Sequence, residues 1–172
     1  EDVISDYSIA NQAFEMVYFG LSASNSQRLY TYNLKNDASS CLIDLSKEIL
    51  RDVTLGEVQD WNFVSAQGDT IYGRFYLPPH FDATKKYPMI VNYYGGTTPT
   101  ARVMESRYPS HVYAGLGYIV YIIQPSGATG FGQEFSARHV NAWGKLTADE
   151  IIEGTKKFCE EHPFCLLYTS DA

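Results

Sequence analysis

The chain has 172 residues, a formal net charge of −7, 45% apolar residues and an aromatic set dominated by 14 Tyr against 9 Phe and 2 Trp. That length suits one ordinary domain or parts of two, and the apolar content excludes a disordered chain. The acidic balance, with no basic stripe, excludes a nucleic-acid-binding surface.

Other classes fall away on motif grounds. Cys41, Cys159 and Cys165 are too few and too scattered for a disulfide framework. No C-x-x-C or H-E-x-x-H spacing occurs, so neither a metal nor a cofactor is expected. The longest apolar run, Tyr118 to Ile123, is of strand length, so no membrane span is expected. The chain begins at Glu1 rather than Met, which suggests a start inside a longer protein and leaves localisation unread.

Up to about residue 58 the pattern is short β. Met16 to Leu21 and Arg28 to Leu34 read as strands around a polar loop, and Lys35-Asn36-Asp37 reads as a further turn. In the second strand, the face with Tyr30, Tyr32 and Leu34 is expected to be buried by size. Two antiparallel strands followed by a turn suggest one blade of a repetitive β array. Val58 to Val64 and Thr70 to Leu77 are expected to form a hairpin around Ala66-Gln67-Gly68-Asp69, closed off by Pro78-Pro79.

From Tyr87 the grammar becomes alternating strand and helix. Met89 to Tyr94 reads as a strand buried on both faces, and Tyr118 to Ile123 as a second one. Helices are expected at Tyr108 to Gly115, at Phe135 to Trp143 and from Thr147 to about His162. Thr147-Ala148-Asp149-Glu150 reads as a capping box. Ala148, Ile151, Ile152, Thr155, Phe158 and Cys159 read as the packing face of that last helix. This alternation predicts an α/β layer with a mostly parallel sheet.

Tyr94 is the residue singled out for chemistry. It stands at a strand's carboxyl end, where ligands of α/β sheets sit, and Gly95-Gly96 follows it. A protonated phenol there donates a hydrogen bond to a developing oxyanion in acyl transfer. Gly127-Ala128-Thr129-Gly130-Phe131-Gly132 is not a phosphate loop and reads as backbone packed tightly beside a site. Asp149, Glu150 and Glu153 read as cap and dipole partners, and Arg138 as a surface guanidinium. His139 reads as a core or surface residue. No G-x-S-x-G nucleophile elbow occurs, and Ser126, Ser136 and Ser170 lack its strand–turn–helix setting.

Leu77-Pro78-Pro79-His80-Phe81-Asp82, Lys85-Lys86-Tyr87-Pro88, Tyr94-Gly95-Gly96, Gln124-Pro125-Ser126-Gly127 and Asn141-Ala142-Trp143-Gly144-Lys145, in this order, resemble the prolyl oligopeptidase family of serine peptidases. The dipeptidyl-peptidase IV-like and acylaminoacyl-peptidase-like branch is the most similar. The resemblance covers residues 57–164 well and residues 12–56 more loosely.

It implies an α/β fold. Residues 1–56 would be the C-terminal end of a β-propeller with its crossover, and residues 57–164 the N-terminal half of an α/β-hydrolase domain. It further implies a parent that hydrolyses short peptides, with Tyr94 as the oxyanion tyrosine, and it leaves room for a homo-oligomer. Residues 165–172 depart from the family pattern, as an artefactual tail would. The serine, aspartate and histidine of the triad are missing from the chain, so the chain by itself is expected to be inactive. Two other readings stay open: an esterase-type hydrolase of the same fold, and a non-enzymatic interaction protein.

Overall fold

The computed structural model describes residues 2–142 and 144–166. The chain divides into two compact units, Glu1–Leu55 with Arg102–Pro109, and Gly56–Ala101 with Ser110–Ala172.

In the first unit, β1 (Val3–Ile9), β2 (Glu15–Leu21), β3 (Arg28–Asn33) and β4 (Ala38–Asp44) form a four-stranded antiparallel meander in chain order. A one-turn helix, α1 (Ser46–Ile49), follows. Both strands expected here are present. β1 and β4 were not foreseen, because Asp6 and Ser8, or Ala38, Ser39 and Ser40, give these runs little apolar alternation. Tyr18 of β2 stacks on Tyr30 of β3 with ring centroids 5.0 Å apart.

The expected burial of Tyr30, Tyr32 and Leu34 is not seen. All six residues of β3 are half-buried, and Leu34 is exposed beyond its end. A single antiparallel layer buries neither of its own faces, so side-chain size does not select one.

The second unit is built on a mixed sheet of β5 (Val58–Asp60), β6 (Phe63–Val64), β7 (Thr70–Tyr76), β8 (Tyr87–Asn92), β9 (Ile119–Gln124) and β10 (Cys165–Leu166). Its order is β10-β8-β9-β7-β5, with β6 also paired to β7. β8, β9 and β10 run parallel, whereas β7 is antiparallel to β9, β5 and β6. The sheet is therefore mixed rather than mostly parallel.

The hairpin forms as expected but is interrupted at Trp61-Asn62. There the Trp61 N–H donates to the Gly73 carbonyl at 3.1 Å and the Asn62 side chain accepts from the Gly73 N–H at 3.0 Å.

Every residue of β9 is buried, but all six residues of β8 are only half-buried. Position explains the contrast with the two-sided burial expected of both. β9 lies between β7 and β8, whereas among the described residues β8 has two residues of β10 on its far side. Among the described residues three helices complete the unit: α2 (Ser110–Gly115), α3 (Gln133–Ala137) and α4 (Lys145–Glu161). The helix expected over Phe135 to Trp143 is shorter and earlier than read, and Trp143 lies outside the described residues.

One face of the sheet carries α4. Its Phe158 is fully buried, stacks on Tyr121 of β9 at 4.9 Å and meets Phe75 of β7 edge-on at 5.1 Å. Trp61 stands edge-on to both Tyr121 and Phe158, at 5.6 and 5.3 Å. The side chains of Tyr76 and Val120 alternate to the other face, where His111 of α2 meets Tyr76 edge-on at 5.0 Å. Helices thus cover both faces of the β7–β9 centre.

Candidate active site

Parallel pairing of Asn92 with Ile122 brings the carboxyl ends of β8 and β9 side by side. The two loops that leave these ends, residues 93–101 and 125–132, meet. The Thr129 N–H and hydroxyl both donate to the Thr97 carbonyl, at 2.8 and 3.1 Å. β8 stops at Asn92, so Tyr94 stands in the loop two residues beyond the strand rather than as its last residue.

The Tyr94 ring is half exposed and lies back across Gly96. A Cβ on Gly96 would sit 2.6 Å from the Tyr94 ring, whereas Gly95 has open space around it. Gly96 therefore permits the ring's path over the backbone. A groove of about 320 Å³ opens beside the loop, lined by Tyr93, Gly95 and, from α4, Ala148, Ile151 and Ile152.

The glycine-rich loop after β9 has the tight backbone expected of it. Gly127, Gly130 and Gly132 all have positive φ, at 98°, 94° and 102°. Gly127 also has no room for a Cβ, which would come within 2.6 Å of the His139 imidazole. His139 thus packs under this loop. Ser126 is buried, the Ser136 hydroxyl donates to the Ala128 and Gly132 carbonyls at 3.1 Å, and Ser170 lies outside the described residues.

The three carboxylates read as one helix-capping group separate into different roles. The helix starts at Lys145 after Gly144, with no side-chain cap, so Thr147 is inside its first turn and the capping box does not form. Asp149 pairs with Lys145 at 2.7 Å on the surface. Glu153 pairs with Lys157 at 2.8 Å and accepts the Ala66 N–H at 3.1 Å. Arg138 is a surface guanidinium as expected, held by both Asp69 oxygens at 2.9 and 3.1 Å.

Glu150 is different. It is 1% exposed, and its Oε2 accepts the Ser126 N–H at 2.8 Å. Burial pushes its carboxyl above the usual range against the opposing pull of the Ser126 N–H and hydroxyl, and the charges of Asp69 and Glu153 add to the rise.

The buried stripe of α4 is Thr147, Glu150, Gly154 and Phe158. Of the expected face, Phe158 is fully buried and Ile151 and Cys159 pack against the core, whereas Ala148 and Ile152 are exposed. Ile152 is 53% exposed. A Cβ on Gly154 would meet the Phe63 ring at 2.5 Å and Ile123 Cδ1 at 2.9 Å. The small residue lets the helix approach β9 closely, and Glu150 is carried in with it. Gly154, one turn from both Glu150 and Phe158, is the signal that marks this face in the sequence.

Gln124, the last residue of β9, stands in the Gln124-Pro125-Ser126-Gly127 motif but was given no role of its own from the sequence. It is 1% exposed, its Oε1 accepts the Thr100 N–H at 2.8 Å and its Nε2 donates to the Thr100 carbonyl at 2.6 Å. Among the described residues no group of three or more His, Cys, Asp or Glu is placed to hold a metal ion, and no helix is long and apolar enough to cross a membrane.

Residues 105–166 match the model of the prolyl oligopeptidase family. The chain is 34% identical over 95 residues to dipeptidyl-peptidase 5 of Schizosaccharomyces pombe, covering 55% of this chain and 14% of that protein. It is 30% identical over 121 residues to mouse dipeptidyl peptidase 8, covering 67% of this chain and 13% of that protein. The chain thus spans about one seventh of the length of the curated relatives it matches.

Among solved structures, an acylaminoacyl peptidase of Pyrococcus horikoshii matches 95% of this chain and 25% of its own, with a TM-score of 0.81 at 21% identity. Porphyromonas gingivalis dipeptidyl peptidase 4 matches 93% of this chain and 23% of its own, with a TM-score of 0.75 at 16% identity. At such identities these two likenesses speak to the fold. The family match and the sequence relatives show that the chain belongs to the prolyl oligopeptidase family.

Proposed function

We propose that this chain contributes the oxyanion tyrosine to a serine-type peptidase that hydrolyses short peptides by acyl transfer. Residues 1–56 are the end of a β-propeller, and residues 57–164 are the first half of an α/β-hydrolase domain. The four-stranded meander and the β10-β8-β9-β7-β5 order support that division. The observation that carries the reading is Tyr94, half exposed just past the carboxyl end of a parallel strand, with its ring across Gly96 and a groove lined by its neighbours Tyr93 and Gly95. In this reading its hydroxyl donates to the oxyanion of the tetrahedral intermediate.

The names of the sequence relatives support peptides as substrates and give the esterase and interaction readings no support. The nucleophile, its base and its orienting carboxylate lie outside these 172 residues, which hold no G-x-S-x-G, so the chain alone hydrolyses nothing.

Tyr94→Phe in the longer protein that carries this chain tests the assignment. The expected result is a fall in kcat of about 10²- to 10³-fold, with KM little changed. An unaltered kcat would remove the oxyanion role. Specific labelling of the isolated chain by a fluorophosphonate would overturn its inactivity.

A further inference from the structure

The loop that carries Tyr94 is exposed, and Tyr93, Tyr94, Thr97, Thr98 and Pro99 all face solvent. A donor on such a loop is useful only if its position is fixed before the oxyanion forms. The geometry points to Gln124 as the positioning residue that fixes it, an assignment that rests on the oxyanion reading of Tyr94.

Gln124 closes β9, the strand in which every residue is buried, so its side chain starts from the firmest part of the sheet. Its amide grips Thr100 twice. Oε1 accepts the Thr100 N–H at 2.8 Å, and Nε2 donates to the Thr100 carbonyl at 2.6 Å. This is the exchange two paired strands make, supplied by one side chain to a segment that is not a strand. It requires a donor and an acceptor fixed side by side, which a carboxamide has and a carboxylate, thioether or alkyl group lacks.

On the nearer side of Tyr94, the Thr129 N–H and hydroxyl hold the Thr97 carbonyl. The phenol is therefore set on a short span between the end of β8 at Asn92 and anchors at Thr97 and Thr100. Both anchors come from β9 and the loop after it. The path from Gln124 to Tyr94 runs entirely through backbone, so a loosened clamp moves the donor without touching the substrate.

The test uses the longer protein and Gln124→Met, which keeps the length and loses both hydrogen bonds. The expected result is a kcat lower by about 10- to 100-fold, as for a displacement near 1 Å, with KM little changed and the thermal transition retained. In the Tyr94→Phe background the same substitution is expected to do almost nothing further, because it acts through that phenol. Losses that multiply in the double variant would make Gln124 a structural residue and overturn the assignment.

A kcat lowered by Tyr94→Phe but not by Gln124→Met would also overturn it, leaving the oxyanion reading intact. A kcat unmoved by Tyr94→Phe would remove both. Amide exchange needs no variant: Thr100 is expected to exchange more slowly than Thr98, and equal rates would sink the clamp.

Discussion

The carboxylate of Glu150, buried on α4, accepts the backbone N–H of Ser126 at the start of the loop that leaves β9. The distance is 2.8 Å, and the two residues are 24 positions apart. This contact ties the second turn of α4 to the loop that holds Thr97. Its weakness is charge: one N–H and a neighbouring hydroxyl do not replace the water that an ionised carboxylate loses on burial.

The contribution of Glu150 to stability should therefore fall as pH rises. The folded Glu150 binds its proton more tightly than the unfolded one, because its carboxyl is raised by burial and by Asp69 and Glu153. The contribution of the protonated form is complete below the unfolded value of about 4.3 and is lost as pH rises through the higher folded value. Glu150→Gln keeps an acceptor for Ser126 and removes the charge. The variant should melt above the wild type at pH 8, by about 2–4 °C per kcal/mol, with the gap closing near pH 4. Melting curves across that range check this, and a gap independent of pH would exclude Glu150 as its source.

The loop's glycines separate two costs that usually travel together. Gly127 and Gly130 share a positive φ, but only Gly127 lacks room for a Cβ, which would strike the His139 ring. Gly130→Ala should cost about 1–2 kcal/mol of backbone strain alone. Gly127→Ala should cost more, and adding His139→Ala should recover the excess but not the strain. Denaturant titration of the four proteins would measure it, and equal losses for the two glycine variants would mean that His139 yields freely.

What the sequence made legible follows the range of the interactions involved. β9 was plain because Ile119 to Ile123 is apolar and short, and the turn after β8 was plain because two glycines are a local feature. The half-burial of β8 was not, since it depends on which strands flank it. Glu150 and Gln124 were missed for the same reason. Each is an ordinary polar residue locally, and each acquires its role from a partner 24 residues away. Thr147 and Glu150 have the spacing of a capping box, and a helix that begins one turn earlier turns that pair inward instead.

Two residues of the expected packing face of α4 give the sharpest contrast. Phe158 is fully buried among Tyr121, Phe75, Trp61 and His162, with the His162 ring stacked on it at 4.1 Å. Phe158→Ala removes a ring from that cluster and should cost about 3–5 kcal/mol. Ile152 belongs to the same expected face as Phe158 but is 53% exposed, so Ile152→Ala should cost under about 1 kcal/mol, offset in part by the better helix propensity of alanine. Trp61, 5.3 Å from Phe158, supplies a fluorescence report of the transition. A ratio of costs near one would return Ile152 to the core. A severalfold excess at Phe158 fixes the helix rotation that also turns Glu150 toward Ser126.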